Sequence, residues 1–321
     1  MSFNQPAAKR GFHYDQATES LGVFVDGTQV ADFSQVAGKT YYVNNITGSS
    51  TNDGLTWGKA VDQVSTAITL QTAAQAARTS GNNYVRDRII VQGTSTAYAA
   101  VSALPSYCDI IGLGADPRGN GSGIARVDGA GAADGAASAG VRGLNVYNMQ
   151  FNGSGNFYAM DLAICFRSVF ENCVFMNCAY GGLRVVTGGG IVIRDCHFGG
   201  DTGAPATGLY IGSGSHNGNF NQCLVEDCMI YGSTNGVLID TYLNNGTRFH
   251  GNTIYGGTYG IRDTSTETTI AGNAFYTNNF VAGGTTGISI ASTGNAAYQC
   301  LGNFISSAGT DDIYYDLAAQ T

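Results

Sequence analysis

The pentapeptide RDCHF, residues 194–198, has two close relatives in the same chain, ENCVF at 171–175 and EDCMI at 226–230. In each, a cysteine stands two residues before a large apolar residue, which we call the anchor. Four further segments align with them: YNMQF, HGNTI, AGNAF and LGNFI. The predicted anchors are Phe151, Phe175, Phe198, Ile230, Ile254, Phe275 and Ile305. A unit that returns after about 25 residues indicates a repeat architecture.

Sulfur-containing or amide side chains fill the position two residues before the anchor: Met149, Cys173, Cys196, Cys228, Asn252, Asn273 and Asn303. Later in most units a glycine precedes a second apolar segment, as in GGLRV, TGLYI, NGVLI, YGIRD and TGISI. Short strands and glycine turns at this period predict a solenoid of β-coils, in which equivalent residues stack. We expect the cysteines and asparagines to form one inward file at a sharp corner. Asparagine would satisfy the backbone there, and cysteine would fill the same space by packing.

Composition favours an all-β protein, with 47 glycines, 18 tyrosines and 15 phenylalanines among 321 residues. The net charge of −8 and the absence of a basic run predict no nucleic-acid partner. No signal peptide and no membrane span are visible in the sequence, so we expect synthesis in a host cytoplasm. The eight cysteines lack zinc-site spacing. We therefore expect buried, reduced thiols, no metal and no cofactor.

The start of the solenoid is predicted to be covered by a helix at about 60–79. Val64, Ala67, Ile68 and Leu70 follow helical spacing in an alanine-rich stretch. Such a cover is needed because an open coil exposes unpaired strand edges. The segment RIIVQG, residues 88–93, is the expected strand of the first full coil.

The stretch YYVNNITGSSTNDGLTWGKAVDQVSTAI (41–68), followed by DRIIVQGT (87–94), resembles the start of right-handed parallel β-helix proteins. These belong to the pectate-lyase-like superfamily, and bacteriophage tailspikes and other virion proteins share this beginning. The resemblance implies a right-handed single-stranded parallel β-helix over 41–321, with regular coils at about 141–316. It is specific for fold and not for function, because this fold carries lyases, hydrolases, epimerases and non-catalytic virion parts.

Residues 1–40 do not follow the repeat. The strand GVFV, an Asp26–Gly27 turn and TQVADF predict a hairpin, which needs a partner surface to be stable. That partner is either the solenoid itself or another protein. In the second case residues 1–40 form an attachment segment, with these apolar contact residues: Phe12, Tyr14, Phe24, Val25 and Phe33.

Asp195 and Asp227 are the candidate catalytic residues, because both stand three residues before an anchor on consecutive coils. Neighbouring coils lie about 4.8 Å apart, close to the ~5–5.5 Å carboxylate separation of retaining glycosidases. Beside them the charges of Glu171, Arg194 and Glu226 alternate in sign, followed by His250. This alternation equally indicates a structural charge ladder without catalysis.

A sugar-binding groove is a second candidate site. It would be lined by residues that follow the second apolar segment of successive coils: Asp240, Tyr242, Arg262 and Asp263. Tyrosine would stack on the sugar while the charged groups bind its hydroxyls. The alternative is an ordinary solvated face.

Together these features predict a structural bacteriophage virion protein, either a capsid-surface decoration or a tail-associated spike. The resemblance implies a homotrimer that contacts other virion proteins and the host surface. Signatures of pectate lyases and polygalacturonases are missing, so an enzyme is not the first expectation. The alternatives are a lyase or hydrolase that depolymerises a bacterial surface glycan, and a non-catalytic glycan-binding module.

Overall fold

A computed structural model describes residues 10–15, 20–25, 28–32, 38–78, 85–119, 121–129, 133–155, 157–199, 205–213, 218–266, 273–291, 297–307, 309 and 311–315. From residue 40 onward, strands of successive coils pair in parallel and build three long sheets. The result is the predicted right-handed parallel β-helix, with about 8 turns.

The first sheet has ten strands: β4 (Thr40–Val43), β5 (Asp87–Gln92), β7 (Cys108–Leu113), β11 (Asn145–Tyr147), β14 (Val169–Glu171), β17 (Val192–Arg194), β21 (Leu224–Glu226), β25 (Thr247–His250), β28 (Asn273–Thr277) and β31 (Ala297–Leu301). The second has nine: β6 (Tyr98–Ala99), β8 (Arg126–Asp128), β12 (Gln150–Asn152), β15 (Val174–Met176), β18 (His197–Phe198), β22 (Met229–Gly232), β26 (Thr253–Gly256), β29 (Phe280–Gly283) and β32 (Phe304–Ser307).

The third sheet has eleven strands: β9 (Ala136–Ser138), β10 (Val141–Arg142), β13 (Tyr158–Phe166), β16 (Gly181–Gly189), β19 (Thr207–Gly212), β20 (Asn219–Asn221), β23 (Asn235–Asp240), β24 (Leu243–Asn245), β27 (Tyr259–Asp263), β30 (Thr286–Ile290) and β33 (Asp311–Tyr315). Along the chain a regular coil visits the first, second and third sheets in turn. The sharp corner predicted from the pentapeptide lies between the first sheet and the second.

The N-terminal strands form a separate antiparallel sheet: β1 (Arg10–Asp15), β2 (Ser20–Val25) and β3 (Thr28–Asp32). The pairing of β2 with β3 confirms the predicted hairpin. Strand β1, which pairs with β2, is an addition that the sequence did not suggest. The Asp26–Gly27 turn lies outside the described residues.

The predicted cap helix is α1 (Val64–Ala76), preceded by a 3-10 turn at Trp57–Lys59. Its buried face includes Val64, Ala67, Ile68 and Gln71. The Gln71 amide donates a hydrogen bond of 3.0 Å to the Asp87 carboxylate at the start of β5, and Arg78 forms an ion pair with the same carboxylate. The first sheet begins one strand earlier than predicted, because β4 pairs with β5. In the described part of the chain, no helix is long and apolar enough to cross a membrane.

Each corner between the first and second sheets needs one residue in the left-handed backbone region. The φ angles are positive at Asn148 (55°), Asn172 (49°), Asp195 (50°), Asp227 (53°), Gly251 (68°), Asn278 (54°) and Gly302 (65°). Asn, Asp and Gly are the residue types that tolerate this region. The second letter of the pentapeptide is therefore set by backbone geometry.

The inward file at this corner is present, with one correction. Cys173, Cys196, Cys228 and Asn252 are at most 2% exposed. The file then continues through Asn279 and Asn303, whereas the predicted member Asn273 begins β28. The predicted anchor Phe275 likewise belongs to the first sheet, where it pairs with Arg248, and Val281 is the anchor of that coil. The prediction from sequence was wrong at this coil because AGNAF has the same pattern of small, amide and apolar residues as a true corner.

Thiol and amide side chains in this file make the same hydrogen bond. Cys196 Sγ donates to the Phe170 carbonyl oxygen of the preceding coil at 3.4 Å, and Asn252 Nδ2 donates to that of Val225 at 2.9 Å. Asn279 and Asn303 donate in this way too, and the sulfurs of Cys173 and Cys228 lie 3.4 and 3.7 Å from the equivalent carbonyl oxygen. Each thiol shares its single hydrogen between this acceptor and the carbonyl oxygen two residues before it, at 3.1–3.4 Å. Burial raises the pKa of the Cys196 thiol, so the sulfur keeps the hydrogen that it donates. All eight cysteines are free thiols.

Asparagine adds a second bond that sulfur does not supply. Asn252 Oδ1 accepts the backbone N–H of Cys228 at 2.9 Å, and Asn279 Oδ1 accepts that of Asn252 at 3.0 Å. Asn303 Oδ1 accepts the N–H of Asn279 at 2.9 Å. The amides therefore supply acceptors for the buried backbone N–H groups of successive corners. Without them these N–H groups would lack a hydrogen bond.

The repeated glycines lie within strands of the third sheet, and not in turns as predicted. A Cβ added to Gly208, Gly236 or Gly260 would lie 2.6, 2.5 or 2.3 Å from a methyl carbon of the anchor of the following coil, which is Ile230, Ile254 or Val281. The anchors fill the interior so closely that a side chain does not fit opposite them. Phe175 and Phe198, two of these anchors, stack with ring centroids 5.0 Å apart.

Replacement of Gly236 by Ala should therefore destabilise the solenoid. The added Cβ would lie 2.5 Å from Ile254 Cγ2 and 2.7 Å from the Gly260 carbonyl oxygen. We expect a loss of about 2 kcal/mol in the free energy of unfolding, measured by urea denaturation. The control is Gly58→Ala, whose Cβ would meet no atom within 4 Å. Equal stability of the two variants would contradict this explanation.

Candidate functional site

The two candidate catalytic carboxylates line a groove of about 240 Å³ at the corner between the first and second sheets. Asp195 and Asp227 are exposed and occupy equivalent positions on consecutive coils. The remaining lining residues are Arg118, Cys196, His197, Cys228, Met229, Gly251 and Thr253. We call this site the corner groove. The sequence predicted the pairing of the two aspartates but gave no signal for Arg118, which comes from a distant loop.

Backbone geometry explains why aspartates stand in the corner groove. Both occupy the left-handed corner position that other coils fill with Asn or Gly. Asp227 Oδ1 lies 2.6 Å from the place where a Cβ of residue 251 would be, so a side chain there would force the carboxylate to move. The carboxylates therefore have a structural reason to be present that is independent of catalysis.

Among the described residues, Arg118 is the cation that reaches the corner groove from outside the coils. Arg118 Nε lies 3.1 Å from Asp116 Oδ1. This hydrogen bond, with a smaller contribution from the nearby Asp195, raises the pKa of the Arg118 guanidinium. The groove thus combines two carboxylates with one guanidinium and the His197 imidazole. In the described part of the chain, no group of three or more His, Cys, Asp or Glu side chains is arranged to hold a metal ion.

The neighbouring charges of the first sheet form the ladder suggested by the sequence. Arg194 Nε donates to Glu226 Oε1 at 2.5 Å, and Arg194 Nη1 lies 4.0 Å from Glu171 Oε2. On the next coil, His250 Nδ1 is 2.9 Å from Thr277 Oγ1. These pairs occupy the outward surface beside the corner groove.

The predicted sugar-binding residues do not form one group. Asp263 is 0% exposed and accepts hydrogen bonds from Asn244 at 3.0 Å and Tyr276 at 2.9 Å. Its side chain therefore belongs to the interior. Arg262 is on the outward side of β27, with its guanidinium 4.8 Å above the Tyr259 ring.

Asp240 and Tyr242 follow β23 closely but differ in environment. Asp240 is 7% exposed and accepts the Tyr210 hydroxyl at 3.3 Å, whereas Tyr242 is 43% exposed. Register also separates the two acids, because Asp263 pairs with Ile239. Only Tyr242 and Arg262 are thus available on the outer surface.

The structure brings together a second polar group on the third sheet that the sequence analysis missed. We call Tyr158, Tyr180, Arg184 and Tyr210 the tyrosine–arginine cluster. Arg184 lies 4.6 Å above the Tyr158 ring, and Tyr180 and Tyr210 have ring centroids 6.0 and 6.4 Å from it. A comparison of the fourth letters of GGLRV, TGLYI, NGVLI and YGIRD would have revealed this outward column.

Four of the five proposed attachment residues lie in the N-terminal sheet. Phe12 and Tyr14 are in β1, and Phe24 and Val25 are in β2. Phe33 follows β3 and lies outside the described residues. Their role in attachment stays a prediction.

Comparisons with known proteins concern the fold. The family profile described as "Right handed beta helix region" matches residues 122–305. The search of curated proteins found no match. Among solved structures, pectate lyase Pel9A is similar at 14% identity and a TM-score of 0.54, over 82% of this chain and 68% of that chain.

Two viral structures are also similar, at lower scores. ORF18 of Geobacillus virus E2 has 12% identity and a TM-score of 0.40, over 95% of this chain and 68% of that chain. A tailspike protein of Acinetobacter baumannii bacteriophage Fri1, a capsular polysaccharide depolymerase, has 10% identity and a TM-score of 0.33, over 96% of this chain and 72% of that chain.

The structural role of the corner aspartates can be tested at Asp195, where φ is 50°. Asp195→Asn should leave the free energy of unfolding unchanged, because Asn occupies the equivalent position in other coils. Asp195→Val should lower it by about 1–2 kcal/mol, because a β-branched residue is strained at positive φ. Urea denaturation measures both variants. If the Val variant matched the Asn variant, the backbone explanation would be wrong.

Proposed function

The chain belongs to the right-handed β-helix family, and from this premise we propose that it is a structural protein of a bacteriophage particle. It is either a decoration of the capsid surface or a tail-associated spike, and its solenoid contacts the host surface. The observation that carries the proposal is the division of the chain into two kinds of sheet. The N-terminal strands β1–β3 form an antiparallel sheet, and no described strand of that sheet pairs with the solenoid.

This division suits a particle protein because one part can attach to the particle while the other projects from it. A three-stranded sheet of 5- and 6-residue strands is small and gains stability from a partner surface. We propose that other virion proteins supply this surface and that residues 1–40 are the attachment segment. The solenoid is closed by side-chain hydrogen bonds along its length, which suits a rigid element that projects from a particle.

The corner groove also favours a structural role. Its two aspartates are explained by the left-handed backbone that they occupy, so catalysis is not needed to account for them. The outward charges next to them pair with one another along the first sheet. We therefore prefer a non-enzymatic function for the chain.

We further propose that copies of the chain associate as a homotrimer through the second sheet. Its outward side carries an aromatic row, which we define as Tyr231, Tyr255, Phe280 and Phe304, and the exposed Met229 lies on the same side of β22. The ring centroids along the row are 4.9, 5.6 and 5.3 Å apart, and Phe304 is 65% exposed. None of the outward residues of β22, β26, β29 and β32 is charged.

The partner that binds this face is a second copy of the same chain. Identical chains carry the same net charge of −8, so they approach with least repulsion through an uncharged face. Two solenoids also share one spacing between coils of about 4.8 Å, which lets the rings of the aromatic row interleave along the whole contact. Large apolar side chains at the centre of an interface are typical of such contacts.

Sedimentation velocity tests this association. The full-length chain should sediment as a trimer, and Phe304→Ser should shift it towards the monomer by removing an exposed apolar contact. The variant should keep its melting temperature, because Phe304 lies on the surface. A monomeric wild-type chain, or a Phe304→Ser variant that stays trimeric, would count against the proposed interface.

The particle role is tested by labelling the protein and imaging intact particles. Purified phage should carry the full-length chain, and a chain that starts at Gly38 should remain in the unassembled fraction. Circular dichroism of the shortened chain serves as the control for folding of the solenoid. Absence of the full-length chain from purified particles would overturn the proposed function.

The second candidate function is a lyase or hydrolase that cleaves a bacterial surface glycan. The corner groove favours it, because two carboxylates one coil apart stand beside Arg118 and His197. Asp195→Asn and Asp227→Asn decide between the two functions, since both variants should fold. If the wild-type chain cleaves host capsule and both variants do not, the chain is an enzyme. No cleavage by the wild-type chain would leave the structural function preferred.

A further inference from the structure

We infer that the tyrosine–arginine cluster on the third sheet is a subsite for an uncharged, hydroxyl-rich saccharide. This inference rests on the proposed contact between the solenoid and the host surface. It names the place of that contact and the chemical class of the ligand. The cluster is distinct from the corner groove, which lies where the first sheet meets the second.

The aromatic part of the cluster is held in place before any ligand arrives. The Tyr158 ring lies over Gly181, where an added Cβ would be 2.7 Å from Tyr158 Cε1. Arg184 covers part of the ring at 4.6 Å, and burial raises the pKa of the Tyr158 hydroxyl. Tyr180 stands beside it with 52% of its side chain exposed. The Tyr180 ring is tilted by 55° from the fixed Tyr158 ring, and its open face offers an apolar surface on which the C–H face of a pyranose stacks.

Hydrogen-bonding groups surround these rings. Asp161 binds Arg184 through two hydrogen bonds of 2.7 and 2.5 Å, which fix the guanidinium. Asp134 Oδ1 accepts the backbone N–H of Tyr158 at 2.8 Å, and the carboxylate is half-buried. Partial burial raises the pKa of Asp134. Oriented carboxylates of this kind accept hydrogen bonds from sugar hydroxyls.

The local charge selects against acidic sugars. Asp134, Asp161 and Asp240 are three carboxylates near one guanidinium, Arg184, which Asp161 already engages. A uronate or sialate carboxyl would therefore meet like charge, with no unpaired cation among the described residues of this cluster to offset it. An uncharged hexose meets no such penalty and satisfies the acceptors through its hydroxyls.

The solenoid carries a second arginine–tyrosine pair along its axis, with both residues on one strand, β27. Three strands further along the third sheet, Arg262 covers the Tyr259 ring at 4.8 Å, and Leu238 lies between the two pairs in the outward column. Neighbouring coils are about 4.8 Å apart, close to the length of one pyranose residue in an extended chain. An extended glycan that follows the sheet would thus meet one coil with each sugar.

Affinity electrophoresis of the full-length chain tests the inference. Native gels contain dextran, laminarin or hydroxyethyl cellulose as uncharged polymers, or polygalacturonate as the acidic polymer. At least one uncharged polymer should retard the wild-type chain, and polygalacturonate should not. Tyr180→Ala and Tyr158→Ala should weaken retardation about tenfold, which corresponds to the loss of one stacked ring. Tyr158→Phe, which keeps the ring, should bind like the wild type.

The matched control is Trp57→Ala, which removes an exposed aromatic side chain beside the cap helix and should leave retardation unchanged. Four results would overturn the subsite: no retardation in any uncharged polymer, preference for polygalacturonate, unaltered binding by Tyr180→Ala, or loss confined to Trp57→Ala. Particle imaging is an independent readout. A chain that binds these polymers but is absent from particles would refute the proposed function and leave the subsite intact.

Discussion

One hydrogen bond recurs at the corner between the first and second sheets, and it joins each coil to the preceding one. The inward corner side chain donates to a carbonyl oxygen of the preceding coil, from Cys173 at 3.4 Å to Asn303 at 2.7 Å. The left-handed residue before it turns the chain so that this side chain points inward. Thiol and amide both occur here because both are small and both carry a hydrogen, but only the amide also accepts a backbone N–H. The corner fixes where the anchor falls, and the anchor in turn leaves room only for glycine in the third sheet.

This constraint leaves the outward faces free to vary, and function is therefore expected on them. The first sheet carries paired charges, the second carries the aromatic row, and the third carries the tyrosine–arginine cluster. Each face uses positions that alternate with buried ones, so its composition can change without disturbing the interior. A particle protein that self-associates through one face and meets a glycan with another would use the same scaffold for both.

The sequence predicts the interior well because the interior repeats. The corner column, the anchors up to Ile254 and the cap helix could all be read from spacing and residue type. The placement of Asn273 and Phe275 was wrong because their segment imitates a corner, and only strand pairing distinguishes it from the true corner at Asn278 and Asn279. The spacing between similar pentapeptides does not show where a coil contains extra residues.

The outward sites were less predictable because they do not repeat. The sequence predicts a surface carboxylate at Asp263. In the structure this carboxylate is buried and accepts hydrogen bonds from Tyr276 and Asn244. Arg184 and Tyr210 occupy one column, but their neighbour Leu238 breaks any pattern. Arg118 reaches the corner groove from a loop that has no register with the coils. Such contacts depend on the loops between the repeats. The residues of these loops do not follow the repeat period, so the spacing of the sequence does not predict their positions.

The most direct measurement is the free energy of unfolding of Asn252→Ala. This change leaves the Val225 carbonyl oxygen and the Cys228 N–H without the partners that they have at 2.9 Å. The account predicts a loss of about 3 kcal/mol, and a smaller loss for Asn252→Cys, which restores the donor used in earlier coils. A change below about 0.5 kcal/mol for Asn252→Ala would contradict the claim that this hydrogen bond holds successive coils together.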